Sequence, residues 1–219
     1  MITEATATVQ SATIAAWMSE IGAVVRARRD HLTQLDAAIG DGDHGTNMAR
    51  GFDAVEKALA GQEGSLPPGR LLILCGKTLV ATVGGASGPL WGSALRRAGR
   101  SLGDAPAIDG AQLAEALEAA LAAIKELGAA VVGDKTIVDA LEPAAIALRG
   151  AVDAGRPPAR AAEAAAAAAE AGARATVPLR ARKGRASYLG DRSIGHQDPG
   201  ATSTALIVRA LERAVAREG

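Results

Sequence analysis

The chain has 219 residues, long enough for one sizeable domain with a buried core, and residues 1–219 read as a single domain. Hydrophobic residues make up 48% of it but aromatics only 2%, so alanine and leucine carry the apolar content. That bias favours helices and excludes a sandwich or barrel of strands. Lys plus Arg number 24 and so do Asp plus Glu, which removes any global drive toward nucleic acid or an anionic membrane.

In chain order, Met1 to Gln10 carries Glu4 and neither a basic stretch nor a long apolar run, so no signal peptide is expected. Ile14, Trp17, Met18, Ile21, Val24 and Val25 then recur at three- and four-residue steps, the stripe of an amphipathic helix with Ser11 as its expected cap. Leu35 to Asn47 reads as a loop rich in Gly and Asp. Helices are expected near 45–60, 67–82 and 88–102. Another follows from Asp109, which with Gln112 forms a variant capping box ahead of Leu113 to Leu127. Thr136 with Asp139 starts the next, which contains Pro143 and is expected to bend there. Pro157 and Pro158 open an alanine-rich helix to about Arg174. Thr176 to Gly200 lacks clear periodicity, and a loop beyond ~12–15 residues in a compact domain is usually functional or disordered. Asp198-Pro199 caps and opens the last helix.

The count is about eight helices with mostly short links, hence an all-α fold of antiparallel neighbours. Cys75 is alone, so no internal disulfide forms, which fits a reducing compartment. No run of ~20 apolar residues exists to span a bilayer. The expected location is the cytoplasm, with no membrane and no nucleic acid as partners.

The strongest chemical signal runs from Asp36 to Asn47, where Asp36, Asp41 and Asp43 crowd into a glycine-flexed stretch with no lysine or arginine until Arg50. A divalent cation relieves that repulsion, and Mg²⁺ typically takes one or two carboxylates plus water and phosphate. Thr46 and Asn47 then fall at a helix start, where free N–H groups favour phosphate. The alternative is a turn whose aspartates cap a helix and face water. Gly40, Gly42 and Gly45 spell the spacing of a dinucleotide fingerprint, but no strand precedes them. An EF-hand starting at Asp41 fails at Thr46 and Phe52, and Gly76-Lys77-Thr78 lacks the first P-loop glycine because Leu71 stands there.

Three further stretches carry polar chemistry. Gly84-Gly85-Ala86-Ser87-Gly88-Pro89 lets backbone amides approach a ligand, with Ser87 as a donor; its plainer reading is a flexible turn. Gly133-Asp134-Lys135-Thr136 reads alone as a helix cap. In Arg182 to Gly190 and Gly195 to Gly200, arginine offers a planar fork for phosphate, against a solvated basic loop. His196 by itself reads as a hydrogen-bonding loop residue.

Taken together, LDAAIGDGDHGTNMARGF, GGASGPLWG, GDKTIVDAL and ARKGRASYLGDRSIGHQDPGATS resemble, in this order, the L-subunit family of dihydroxyacetone kinases and the homologous C-terminal domain of single-chain, ATP-dependent ones. The resemblance spans about Asp36 to Ser203. It implies an eight-helix antiparallel up-and-down barrel with a nucleotide site at one end. It implies that Asp36, Asp41 and Asp43 ligate two Mg²⁺ on the phosphates of ADP or ATP. Nucleotide contacts are implied at His44, Gly45, Thr46, Asn47, Ala86, Ser87, Gly128, Arg185, Asp198, Pro199 and Gly200, with Arg185 also a catalytic clamp beside the three aspartates. The implied partners are a K subunit carrying dihydroxyacetone and an M-type phosphohistidine donor. A transcription regulator and a second copy of the chain are further candidates. The motifs leave open a chain that uses free ATP, a related short ketose as acceptor, and a nucleotide-sensing regulatory subunit.

Overall fold

Alanine and leucine at helical spacing fold the chain as the composition demands. The computed structural model describes residues 8–62 and 66–217. Among them are eight α-helices: α1 Ser11–Ile39, α2 His44–Leu59, α3 Pro68–Thr82, α4 Ser87–Leu102, α5 Gly110–Gly128, α6 Val138–Asp153, α7 Pro158–Ala175 and α8 Pro199–Ala216. Each packs on the next, and α8 packs on α1, so the ring closes as an up-and-down barrel. Strand pairing in the described residues is confined to two-residue strands, β1 Val9–Gln10 and β2 Ala107–Ile108, antiparallel with Val9 opposite Ile108. No helix is long and apolar enough to cross a membrane, among the described residues.

Side-chain caps set the start of two helices. Asp109 Oδ1 accepts from the Gln112 N–H at 2.8 Å while Gln112 Oε1 accepts from the Asp109 N–H at 3.0 Å, the reciprocal pair that starts α5. Asp198 Oδ2 accepts from the Ala201 N–H at 2.6 Å and Pro199 opens α8. The start of α1 departs from expectation. Ser11 Oγ donates to the Leu66 carbonyl at 2.7 Å, and the turn is closed one residue earlier, where the Gln10 N–H donates to Thr13 Oγ1. The same helix also runs further than its turn signals suggest. Leu32, Asp36 and Ile39 are buried on one face, so α1 continues to Ile39 and only Gly40 to Asp43 remain as a loop.

Two kinds of small residue shape the barrel wall. Ala161, Ala162, Ala165, Ala166 and Ala169 of α7 are fully buried, which lets α6 and α8 approach closely. On α3 and α4, Gly69 and Gly76 face Gly99 and Gly92; a Cβ on Gly99 would stand 2.3 Å from the Gly69 carbonyl oxygen. Gly76 of the P-loop look-alike therefore belongs to a helix crossing. Three of the four aromatics sit inside: Phe52, Trp17 and Trp91 are buried while Tyr188 is exposed, and the Trp17 indole N–H donates to the Ile207 carbonyl at 2.9 Å. Burying each such ring is worth on the order of 2–3 kcal/mol.

An up-and-down ring sorts its connections. The first, third, fifth and seventh links fall at one end, and these are residues 40–43, 83–86, 129–137 and 176–198. All four polar stretches of the sequence therefore meet at the same rim.

Candidate functional site

The acidic loop is shaped by one of its own carboxylates. Asp36 projects from the last turn of α1, and its Oδ2 accepts from the N–H groups of Asp43 (2.9 Å) and His44 (3.0 Å), which starts α2. Gly40 must lack a side chain here, because a Cβ would lie 2.1 Å from Asp36 Oδ1. Gly42, at φ +73°, takes the left-handed turn that points Asp41 and Asp43 back toward Asp36. One carboxylate oxygen from each of Asp36, Asp41 and Asp43 lies within 4.8 Å of the other two, a spacing that one shared divalent cation spans. The donors are all hard oxygens, so the residues present fit Mg²⁺.

Charge balance also comes from a place the linear sequence hides. Arg185 Nη2 lies 3.0 Å from Asp41 Oδ2, so a guanidinium from the 176–198 strap already faces the acidic loop. Both groups are largely solvated, which keeps this pair weak and exchangeable.

His44 is buried between three helices. Its Nε2 is 3.0 Å from Ser203 Oγ on α8 and its Nδ1 is 3.4 Å from Ser87 Oγ at the start of α4. Burial pushes its pKa below the usual imidazole value, against the pull of Asp36 and Asp43, so the ring is neutral at pH 7. Beside it, Asn47 Oδ1 accepts from Arg50 at 2.9 Å, and Gly84 leaves room for that amide, since a Cβ would sit 3.0 Å from Asn47 Oδ1. Asp198, at the foot of the strap, has its carboxyl pushed up to about 7, chiefly by burial and further by Asp139, against the Ala201 N–H and Lys135.

These elements enclose a cavity of about 270 Å³. Asp36, Asp41, Asp43, His44, Asn47, Ala86, Ser87, Gly128, Arg185, Asp198, Pro199 and Gly200 all stand in its wall. Gly45 and Thr46 do not. Successive helical residues rotate by about 100°, so position 45 turns into the α1 contact, where a Cβ would meet the Arg29 carbonyl oxygen at 2.0 Å, and Thr46 turns to solvent. The motif reading missed the apolar side of the cavity, Ile39, Leu90, Ile124, Ile137 and Val138. Ile39, Leu90, Ile137 and Val138 lie within a few residues of a polar motif, which is the available signal, whereas Ile124 lies well ahead of Gly133 and has none. It also missed Lys135, taken for part of a cap but buried at 1% exposure.

Fold and site together define the class: an all-α barrel with a carboxylate- and glycine-lined cavity at one rim. The chain belongs to the DAK2 domain family, whose profile matches residues 38–213. It is 40% identical over 198 residues to the Listeria innocua protein named PEP-dependent dihydroxyacetone kinase 1, ADP-binding subunit DhaL, with 89% of this chain and 92% of that one covered. It is likewise 40% identical over 196 residues to the Escherichia coli ADP-binding subunit DhaL, with the same coverage. The crystal structure of the dihydroxyacetone kinase from C. freundii in complex with AMP-PNP and Mg²⁺ superposes with a TM-score of 0.70 at 29% identity; 97% of this chain is covered but only 36% of that longer one.

Proposed function

We propose that this chain is the ADP-binding subunit of a dihydroxyacetone kinase. In this reading it receives a phosphoryl group from a phosphohistidine donor protein and passes it through bound nucleotide to dihydroxyacetone on a K-type subunit, in the cytoplasm. The observation that carries the reading is the convergence of three carboxylates, a glycine turn and a mobile-charge arginine on one cavity. The full-length likeness to subunits named ADP-binding supports it, as does the Mg²⁺ and AMP-PNP complex of the C. freundii kinase.

Asp36, Asp41 and Asp43 would hold Mg²⁺, two ions by the family resemblance. When bound, the metal neutralises charge on the diphosphate and on the group in transfer. The chain's own groups do the rest. Ser87 and the N–H groups at the start of α4 offer donors to phosphate oxygens. Arg185 exchanges its solvated partner Asp41 for an anionic ligand. Ile39, Leu90, Ile124 and Ile137 supply a dry wall for a flat base. His44 serves as a bridge between helices rather than a phosphoryl carrier, because both ring nitrogens face serine hydroxyls. No residue of this chain need become covalently phosphorylated, and electrostatic positioning accounts for its contribution.

The test is acid release and chromatography of whatever nucleotide the purified protein carries. Stoichiometric ADP that survives dialysis with Mg²⁺ and leaves with EDTA is the expected result. An empty site that turns over added ATP with a K-type partner would shift the reading to direct use of ATP. Asp43→Asn should weaken Mg²⁺-dependent ADP retention by about 100-fold or more with helical content intact; undiminished retention would defeat the ligand assignment.

A further inference from the structure

Lys135 is buried and makes no close ion pair with any carboxylate in the described residues, although Asp198 and Asp139 lie near enough to favour its charged form. Its backbone adopts φ +64°, unusual for a residue with a side chain, and this turns the stem inward behind the cavity. The ammonium then donates to the carbonyls of Thr176 (2.9 Å), Leu179 (3.1 Å), Ser193 (2.8 Å) and His196. Two of these belong to the outgoing limb of the strap and two to the returning limb. Arg185 stands between the limbs, and the Asp198–Gly200 corner ends the second.

Apart from the lysine, the strap is held by a small apolar cluster and by a few bonds across its limbs. It buries a satellite cluster, Ile39, Ala181 and Ala186 with Leu189 against them, separate from the main core. Its other ties include the Gly195 N–H to the Val177 carbonyl at 2.8 Å, the Asp198 N–H to Thr176 Oγ1 at 3.0 Å, the Ala181 N–H to Ser193 Oγ at 2.9 Å, the Arg182 N–H to the Asp134 carbonyl at 3.1 Å, and the exposed Arg180–Asp191 ion pair at 3.4 Å. Segments with few apolar contacts open locally while the rest of a protein stays folded. A lysine suits the centre of such a strap because its point charge on a thin stem reaches converging carbonyls, where a planar guanidinium would not.

We infer that Lys135 is the positioning residue that pins both limbs of the 176–198 strap and thereby holds Arg185 and the Asp198–Gly200 corner at the cavity. The nucleotide part of this inference rests on the proposed function; the pinning part does not.

The experiment compares wild type, Lys135→Met, Arg185→Gln and the double variant for Mg²⁺-ADP affinity and for trypsin cleavage at Arg180 to Arg185. Lys135→Met should weaken binding about 30-fold and speed cleavage about 10-fold, since buried acceptors lose a charged donor. If the lysine acts through the strap, the same change made on top of Arg185→Gln should weaken binding only about threefold further. Wild-type affinity and cleavage in Lys135→Met would overturn the inference, as would effects that multiply independently in the double variant. A wild type that binds no Mg²⁺-ADP would sink the proposed function instead, leaving cleavage to judge the pinning.

Should Lys135→Met not fold, ¹H–¹⁵N spectra of the wild-type lysine ammonium groups decide. One of the five lysines should show slow proton exchange, slower still with Mg²⁺-ADP. No protected ammonium, or protection indifferent to the ligand, overturns the inference.

Discussion

The acidic loop and the strap face each other across one cavity, and they are built in opposite ways. The loop is four residues long and is organised by a buried anion: Asp36 collects two backbone N–H groups from residues seven and eight positions away. The strap runs from 176 to 198 and is organised by a buried cation, with Lys135 collecting carbonyls 41 to 61 residues away. The difference shows how loop length sets the kind of glue. A short link is held by its flanking helix, whereas a long one adds an anchor brought from elsewhere in the fold to the bonds it makes within itself.

The comparison can be broken most forcefully at Asp36, which acts both as candidate metal ligand and as the organiser of the loop. Asp36→Ala should lower Mg²⁺-ADP affinity by about 100-fold or more and unfolding stability by about 2 kcal/mol, since two N–H groups lose their acceptor. Calorimetric titration and urea unfolding measure the two effects, and loss of affinity with stability intact would mean that the loop does not lean on this carboxylate.

Gly45→Ala tests the helix behind the loop. The new Cβ would meet the Arg29 carbonyl, so about 3 kcal/mol of stability should be lost as α1 and α2 are forced apart. An unchanged urea midpoint would show that the α1–α2 contact has slack.

Asp198 sharpens the other side. Its carboxyl is pushed up to about 7 in the folded chain and titrates near 4 when unfolded. Between those values the folded form keeps a proton that the unfolded form releases. The stability contributed by this group is therefore present below about pH 4 and lost as pH rises to about 7. Asp198→Asn keeps the capping acceptor and lacks the titration. The gap between variant and wild type in urea unfolding, measured without metal, should move in the variant's favour by on the order of 4 kcal/mol from pH 4 to 7, then level off. Parallel stability curves would show that Asp198 is not desolvated in solution.

Much of the rim was legible because its signals are local. Asp109 with Gln112, and Asp198 with Pro199, act within one turn, and each structure element begins where they say. The three aspartates sit within eight residues, so their mutual repulsion can be read without a fold. Ser11 misled because a serine before a helix can spend its hydroxyl on a distant carbonyl, here Leu66. Gly40 to Asp43 masked the end of α1, since turn residues stand out while Leu32, Asp36 and Ile39 continue the helix quietly on its buried face. Gly45 and Thr46 look like their neighbours in the motif, yet helical rotation removes them from the cavity.

Composition and spacing alone determined that this chain is helical, roughly where its helices begin, and which short stretches carry unusual polar chemistry. Backbone propensity and capping act over a few residues, so these properties belong to the string itself. Only the tertiary structure decided that alternate links share one rim, that Arg185 meets Asp41, and that a lysine resembling a cap closes the strap. Those outcomes depend on desolvation and on pairing across the ring, which come into being only when distant segments exclude water from one another.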